Sequence, residues 1–200
     1  MIGNIWFSGE KRERNAATVF KDLNQGDLLL MGARPKQGKT VLALQLLLKA
    51  LRAGELAYVF SLEYTDAEVR EQLHKLGMKP DEFIQTLKID TSDDICADYI
   101  SDCLNSCQRS AFVVVDYLQL LDQKRDNPDI ESQVKRLAIV ARESSSKIIV
   151  LSQIDRSFDL MNVTLPDVSH VRLPNTINLA HFGKTCFLHK GEMSLSASSQ

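Results

Sequence analysis

At 200 residues the chain has room for one full-sized hydrophobic core, and 44% hydrophobic against 25% charged residues is a globular balance that excludes disorder as the main state. The 24 Lys and Arg against 26 Asp and Glu leave a formal charge of −2, so the broad positive field of a nonspecific DNA binder is absent, and any such contact must be local or assembled by oligomerisation. No apolar run approaches the roughly 20 residues that span a bilayer, and the N-terminal charges follow the first apolar residues, the reverse of a secretory signal, so a cytoplasmic protein with no membrane partner is expected.

One domain over residues 1–200 is predicted, with its core at about 22–190 and a polar tail at 191–200. In chain order, residues 16–23 read as a short helix ending at Asn24-Gln25-Gly26, and residues 27–32 as a buried strand running into ARPKQGKT. Residues 41–51 are apolar nearly all round, a helix buried on most sides. A strand at 56–62 precedes Thr65-Asp66-Ala67-Glu68, a capping-box pattern that opens a helix reaching about Leu76. Residues 87–90 suit a short strand. Cys96, Cys103 and Cys107 then share a 3.6-residue stripe with Tyr99, Ile100 and Leu104, the face of a helix packed on a core; C-x6-C-x3-C lacks the paired donors of a zinc site. Phe112 to Tyr117 is β-branched and apolar without alternation, as in a central parallel strand. After a charged loop at 123–128, Asp129 caps a helix whose Ile130, Val134, Leu137, Ala138 and Ala141 share a face. A strand follows at 147–153, residues 154–183 show no strong period, and residues 186–189 read as a last strand. Strands alternating with helices predict an α/β fold, a mainly parallel sheet flanked by helices.

Ala33-Arg34-Pro35-Lys36-Gln37-Gly38-Lys39-Thr40 ends in the G-K-T of a phosphate-binding loop, with Ala33 where the usual motif has its first Gly. A loop between strand and helix turns backbone N–H groups toward phosphate oxygens, and the helix N-terminus adds its positive dipole end. The candidate nucleotide-binding residues are therefore Ala33, Arg34, Pro35, Lys36, Gln37, Gly38, Lys39, Thr40 and Val41, with Lys39 neutralising β/γ-phosphate charge and Thr40 offered to Mg²⁺. Asp116, ending FVVVD, is placed to support the metal from another strand tip. Glu63, ending AYVFSLE, is by position either the carboxylate that activates water or a solvated helix-start residue.

GDLLLMGARPKQGKT, VFSLE, VVVDYLQLL and IIVLSQIDRS, in this order over about residues 22–159, resemble the ATPase domain of DnaB-type replicative helicases within the RecA-like P-loop ATPase superfamily. The resemblance implies a RecA-like P-loop NTPase core that hydrolyses ATP with Mg²⁺. It implies Lys39 and Thr40 at the phosphates and metal, Glu63 as catalytic base, Asp116 as the metal-supporting Asp, and Gln153 as the γ-phosphate sensor; Arg34 belongs to the matched loop without an assigned role. It further implies a ring or hexamer, single-stranded DNA gripped by loops, and a replication protein partner. The loop corresponding to residues 154–178 carries Arg156, Arg172 and His170 against Asp155, Asp159 and Asp167, and is either a DNA contact or an ordinary surface connection. Lys124 and Arg125 are the other candidate DNA contacts.

Two departures from the family pattern shape the expectation. About thirty residues precede the loop, where the helicases carry an N-terminal helical domain and linker, and the end GEMSLSASSQ has no Arg for the further hairpin with its basic finger, leaving Lys184 and Lys190 as substitutes. Slow intrinsic hydrolysis follows if no finger is supplied. Three readings remain: a minimal DnaB-like ATPase acting on single-stranded DNA in replication or recombination, a RecA-like regulatory or loader switch that binds a protein without translocating, and a module that binds nucleotide without turnover.

Overall fold

The computed structural model describes residues 9–107, 109–121, 127–173 and 178–197. Helices are α1 (Gly9–Asp22), α2 (Lys39–Arg52), α3 (Asp66–Lys75), α4 (Ala97–Cys107) and α5 (Ile130–Glu143). Strands are β1 (Leu28–Ala33), β2 (Leu56–Ser61), β3 (Leu87–Asp90), β4 (Ala111–Asp116), β5 (Lys147–Gln153), β6 (Lys184–His189) and β7 (Glu192–Ala197). Among the described residues they form one seven-stranded sheet in the order β3-β2-β4-β5-β1-β6-β7, parallel except for β7.

Every residue of β1, β2 and β4 is buried, which explains why these strands read as continuous apolar runs instead of alternating ones. Successive side chains serve opposite faces. Leu29, Met31 and Ala33 of β1 pack with α1, α2 and α3 in one core, while Leu28 and Leu30 pack with α4 and α5 in the other. The capping box at Thr65 and Glu68 forms, Thr65 Oγ1 accepting from Glu68 N and Glu68 Oε2 accepting from Thr65 N at 2.8 Å. Asp129 caps α5 by accepting from Ser132 N at 2.9 Å. On α4, Ile100 and Leu104 are buried, and Cys103 and Cys107 pack partly buried beside them, as their stripe predicts.

Two expectations are corrected. The first helix begins at Gly9, not near residue 16, because the polar stretch before Ala16 carries no apolar period to announce it. Residues 192–197, assigned to a polar tail, form β7, antiparallel to β6 across a turn at Lys190 and Gly191. Met193 and Leu195 are partly buried on the α1/α2 core between the serines of MSLS, so a half-buried edge strand is the physical reason for its polar composition. The loop residues 122–126, including Lys124 and Arg125, lie outside the described residues. No described helix is long and apolar enough to cross a membrane.

Gly32 of β1 lies level with Phe187 of β6, and a Cβ there would lie 2.6 Å from Phe187 Cδ1 and Cε1 and 3.1 Å from Ile154 Cδ1. Phe187 is itself 3% exposed, so its ring has little freedom to yield. Gly32→Ala should destabilise the fold by about 1–3 kcal/mol in chemical denaturation, and adding Phe187→Leu should recover part of that loss; equal stability of Gly32→Ala and the wild type would contradict the packing described.

Candidate functional site

β2, β4, β5 and β1 are parallel neighbours in that order, so their carboxyl ends open on one edge of the sheet. Ala33 at the end of β1 is level with Gln153 of β5, and Ser61 of β2 is level with Asp116 of β4. This register explains how motifs far apart in the chain reach one place. A cavity of about 410 Å³ at that edge is lined by residues 33–41 together with Glu63, Tyr64, Gln72 and Gln153.

The loop after β1 is bent by left-handed backbone at Lys36 (φ 64°) and Gly38 (φ 90°), and a glycine supplies the second of these at no steric cost. Gln37 N donates to Arg34 O at 3.2 Å across the turn. α2 starts at Lys39, so the unpaired N–H groups of its first turn and the positive end of its dipole lie at the cavity, as anion binding requires.

Lys39 and Asp116 form the buried centre of the site, 9% and 2% exposed. Lys39 Nζ lies 3.7 Å from Asp116 Oδ1 and 5.2 Å from the centroid of the Tyr117 ring, and Thr40 Oγ1 donates to Asp116 Oδ2 at 3.4 Å. Burial pushes the Asp116 carboxyl up to about 6, against the opposing pull of Lys39. Asp116 Oδ1 is buried without a hydrogen-bond partner. A carboxylate with one orphaned oxygen and the other bonded by the Thr40 hydroxyl is a donor set that fits a divalent cation.

Glu63 is exposed at the cavity's opposite wall. Ser61 Oγ fixes the turn that carries it, accepting from Glu63 N at 3.3 Å and Tyr64 N at 2.9 Å. Gln153 is steadied by Gln119, which accepts from Gln153 N at 3.4 Å and donates to Ser152 Oγ at 2.9 Å and to Arg172 O. The Arg34 guanidinium is bound to Asp159 and Ile154 O. Arg156 and Arg172 are exposed on the segment after β5, within which Ile154 and Val171 form an antiparallel bridge. Lys184 pairs with Asp22 and Asp27, while Lys190 at the β6–β7 turn donates its backbone N–H to Gln37 Oε1 at 2.7 Å. Tyr64, Gln72, Tyr117 and Gln119 are site neighbours that sequence reading missed; Tyr117 and Gln119 lie within the DYLQL block, which signalled importance without orientation.

The DnaB-like helicase C-terminal domain matches residues 71–193, more than half of the chain. The chain belongs to this family. Its curated relatives include the replicative DNA helicase DnaB of Geobacillus stearothermophilus, 28% identical over 185 residues, covering 76% of this chain and 41% of that protein. The corresponding protein of Helicobacter pylori strain J99 is 25% identical over 181 residues, covering 74% of this chain and 37% of that protein. The chain thus spans about two fifths of the length of the curated relatives it matches. Among solved structures, a DnaB-like replicative helicase, determined together with its interactions with primase, superposes with a TM-score of 0.67 at 20% identity, covering 82% of this chain and 47% of that one. A KaiC-like protein from Pyrococcus horikoshii superposes with a TM-score of 0.54 at 19% identity, covering 64% of this chain and 62% of that one. The fold of the DnaB-like helicase C-terminal domain is therefore the fold of this chain.

Because the folded-state pKa of Asp116 lies above its ordinary value of 3.8, its contribution to stability is fully present below about pH 4 and is lost as pH rises through about 6. Metal-free protein should lose on the order of 2 kcal/mol from this group between about pH 4.5 and 7.5, and Asp116→Asn should flatten that part of the profile. Denaturation across pH checks this; parallel profiles for the two proteins would contradict the burial cost assigned to Asp116.

Proposed function

We propose that this chain binds ATP with Mg²⁺ and hydrolyses it, as a DnaB-like motor domain acting on single-stranded DNA within a ring. The observation that carries the reading is the cluster of Lys39, Thr40 and Asp116 beneath the phosphate loop, with Glu63 across the cavity. Backbone N–H groups of residues 36–41 and the Lys39 ammonium hold the β- and γ-phosphates. Thr40 and Asp116 are the residues that would hold Mg²⁺, which would neutralise phosphate charge when bound. Glu63 accepts a proton from water as that water's oxygen attacks the γ-phosphorus, the bond from phosphorus to the ADP oxygen breaks, and ADP departs with inorganic phosphate. Gln153 touches the γ-phosphate and, through the Gln119 contacts, reports its loss to the segment beginning at Ile154.

On that segment Arg156 and Arg172 are the candidate DNA contacts, since Asp155 and Asp167 are occupied in capping turns and Asp159 in pairing with Arg34. The replicative relatives support a role in replication. A second reading, a nucleotide switch that binds a protein partner, is favoured by the exposed Leu160, Met161, Val163 and Val168 on the same segment, an apolar surface unlike a phosphate-gripping loop.

Lys39→Ala should abolish ATP binding in calorimetry, whereas Glu63→Gln should bind ATP while turnover falls about 100-fold or more. Turnover surviving Glu63→Gln removes that residue from the base role. Single-stranded DNA should stimulate phosphate release at low salt, with less stimulation as salt rises; no stimulation of the oligomer would leave the protein-switch reading in its place.

A further inference from the structure

The phosphate loop is tied to the chain that follows β5 by a contact independent of Gln153. Arg34 Nε lies 3.0 Å from Asp159 Oδ2 and 3.2 Å from Oδ1, Nη2 lies 2.8 Å from Oδ2, and Nη1 donates to Ile154 O at 3.0 Å. All three guanidinium nitrogens are thus committed to one turn, residues 154–159, and Arg34 has only 18% of its side chain exposed. The turn itself is well seated: Phe158 is buried, with the His170 and His189 rings edge-on at 5.1 and 5.0 Å. Two residues before Asp159 and immediately after it lie Ser157, inside the capped turn, and Leu160, 90% exposed at the start of the apolar stretch.

We propose that Arg34 is a positioning residue, whose fork on Asp159 and Ile154 makes the phosphate loop and the segment after β5 move as one body, so that filling the loop orders residues 154–160. The inference rests on the nucleotide reading above. A half-exposed ion pair contributes little to stability, so the value of this one lies in geometry: a planar fork on a carboxylate fixes direction as well as distance, which a point charge does not. Arg34 opens the turn that places Lys36 and Gly38, and a displacement of that turn by bound phosphate is passed to the backbone carbonyl of Ile154 and the side chain of Asp159. Coupling of this kind is reciprocal, so anything that orders the exposed segment also favours the filled loop. A direct phosphate-binding role for the Arg34 side chain requires these bonds to break first.

Hydrogen exchange of the full chain, with and without a nonhydrolysable Mg-ATP analogue, tests the coupling in the wild type, Asp159→Asn and Asp159→Glu, with circular dichroism to show that each is folded. In the wild type nucleotide should slow exchange at residues 36–41 and at 154–160. Asp159→Asn should keep the protection at 36–41 and reduce the effect at 154–160 by at least about 5-fold, the low end for coupled sites, and Asp159→Glu, which retains the carboxylate, should recover it. Wild-type protection at 154–160 in Asp159→Asn, or no response at 154–160 in the wild type, overturns the coupling while the nucleotide reading stands. No protection at 36–41 in the wild type overturns the nucleotide reading and the coupling with it.

Discussion

The site depends on one buried pair, Lys39 with Asp116, held at 3.7 Å beneath the phosphate loop. Two charges taken out of water are costly, and a lysine and an aspartate this deeply buried persist only because each offsets part of the other's desolvation. The pairing is incomplete in its hydrogen bonding: Asp116 Oδ1 has no partner, and the Lys39 ammonium leans on the Tyr117 ring. An arrangement that is poor for stability is what the proposed function calls for, since on that reading a triphosphate and a cation would complete its two halves.

The pair exists because of strand order. β1 and β4 are not neighbours; β5 lies between them, and the parallel register brings Ala33 level with Gln153 and Ser61 level with Asp116. Lys39 reaches Asp116 from the first turn of α2, and Glu63 from the turn after β2 closes the far wall. The segment leaving β5 is bound into the same edge by Ile154 N donating to Ala33 O, by Gln119 around Gln153 and by Arg34 around Asp159, so the apolar residues from Leu160 onward hang from the edge that carries the cavity and not from the remote side of the fold.

Much of this was legible in the residues. The unbroken apolar runs of β1 and β4 declared parallel strands covered on both faces, and the Gly38-Lys39-Thr40 end of the loop, met by acidic residues at two strand tips, indicated where the cavity would be. What failed did so for physical reasons. β7 alternates Met193 and Leu195 with serines, a period-2 signal weak enough at an edge to pass for a polar tail. The partnership of Arg34 with Asp159 spans 125 residues and has no spacing rule to reveal it. Tyr64, in the turn after β2, and Gln72, on α3, border the cavity through tertiary packing that local periodicity does not encode.

The central claim, that the buried Lys39 and Asp116 await a triphosphate and a cation together, is tested most directly by titrating ATP calorimetrically into the chain with and without Mg²⁺. The account predicts binding in both conditions, tighter with the metal, and loss of the metal's advantage in Asp116→Asn. Absence of binding heat, or the same gain from Mg²⁺ in Asp116→Asn as in the wild type, would contradict it.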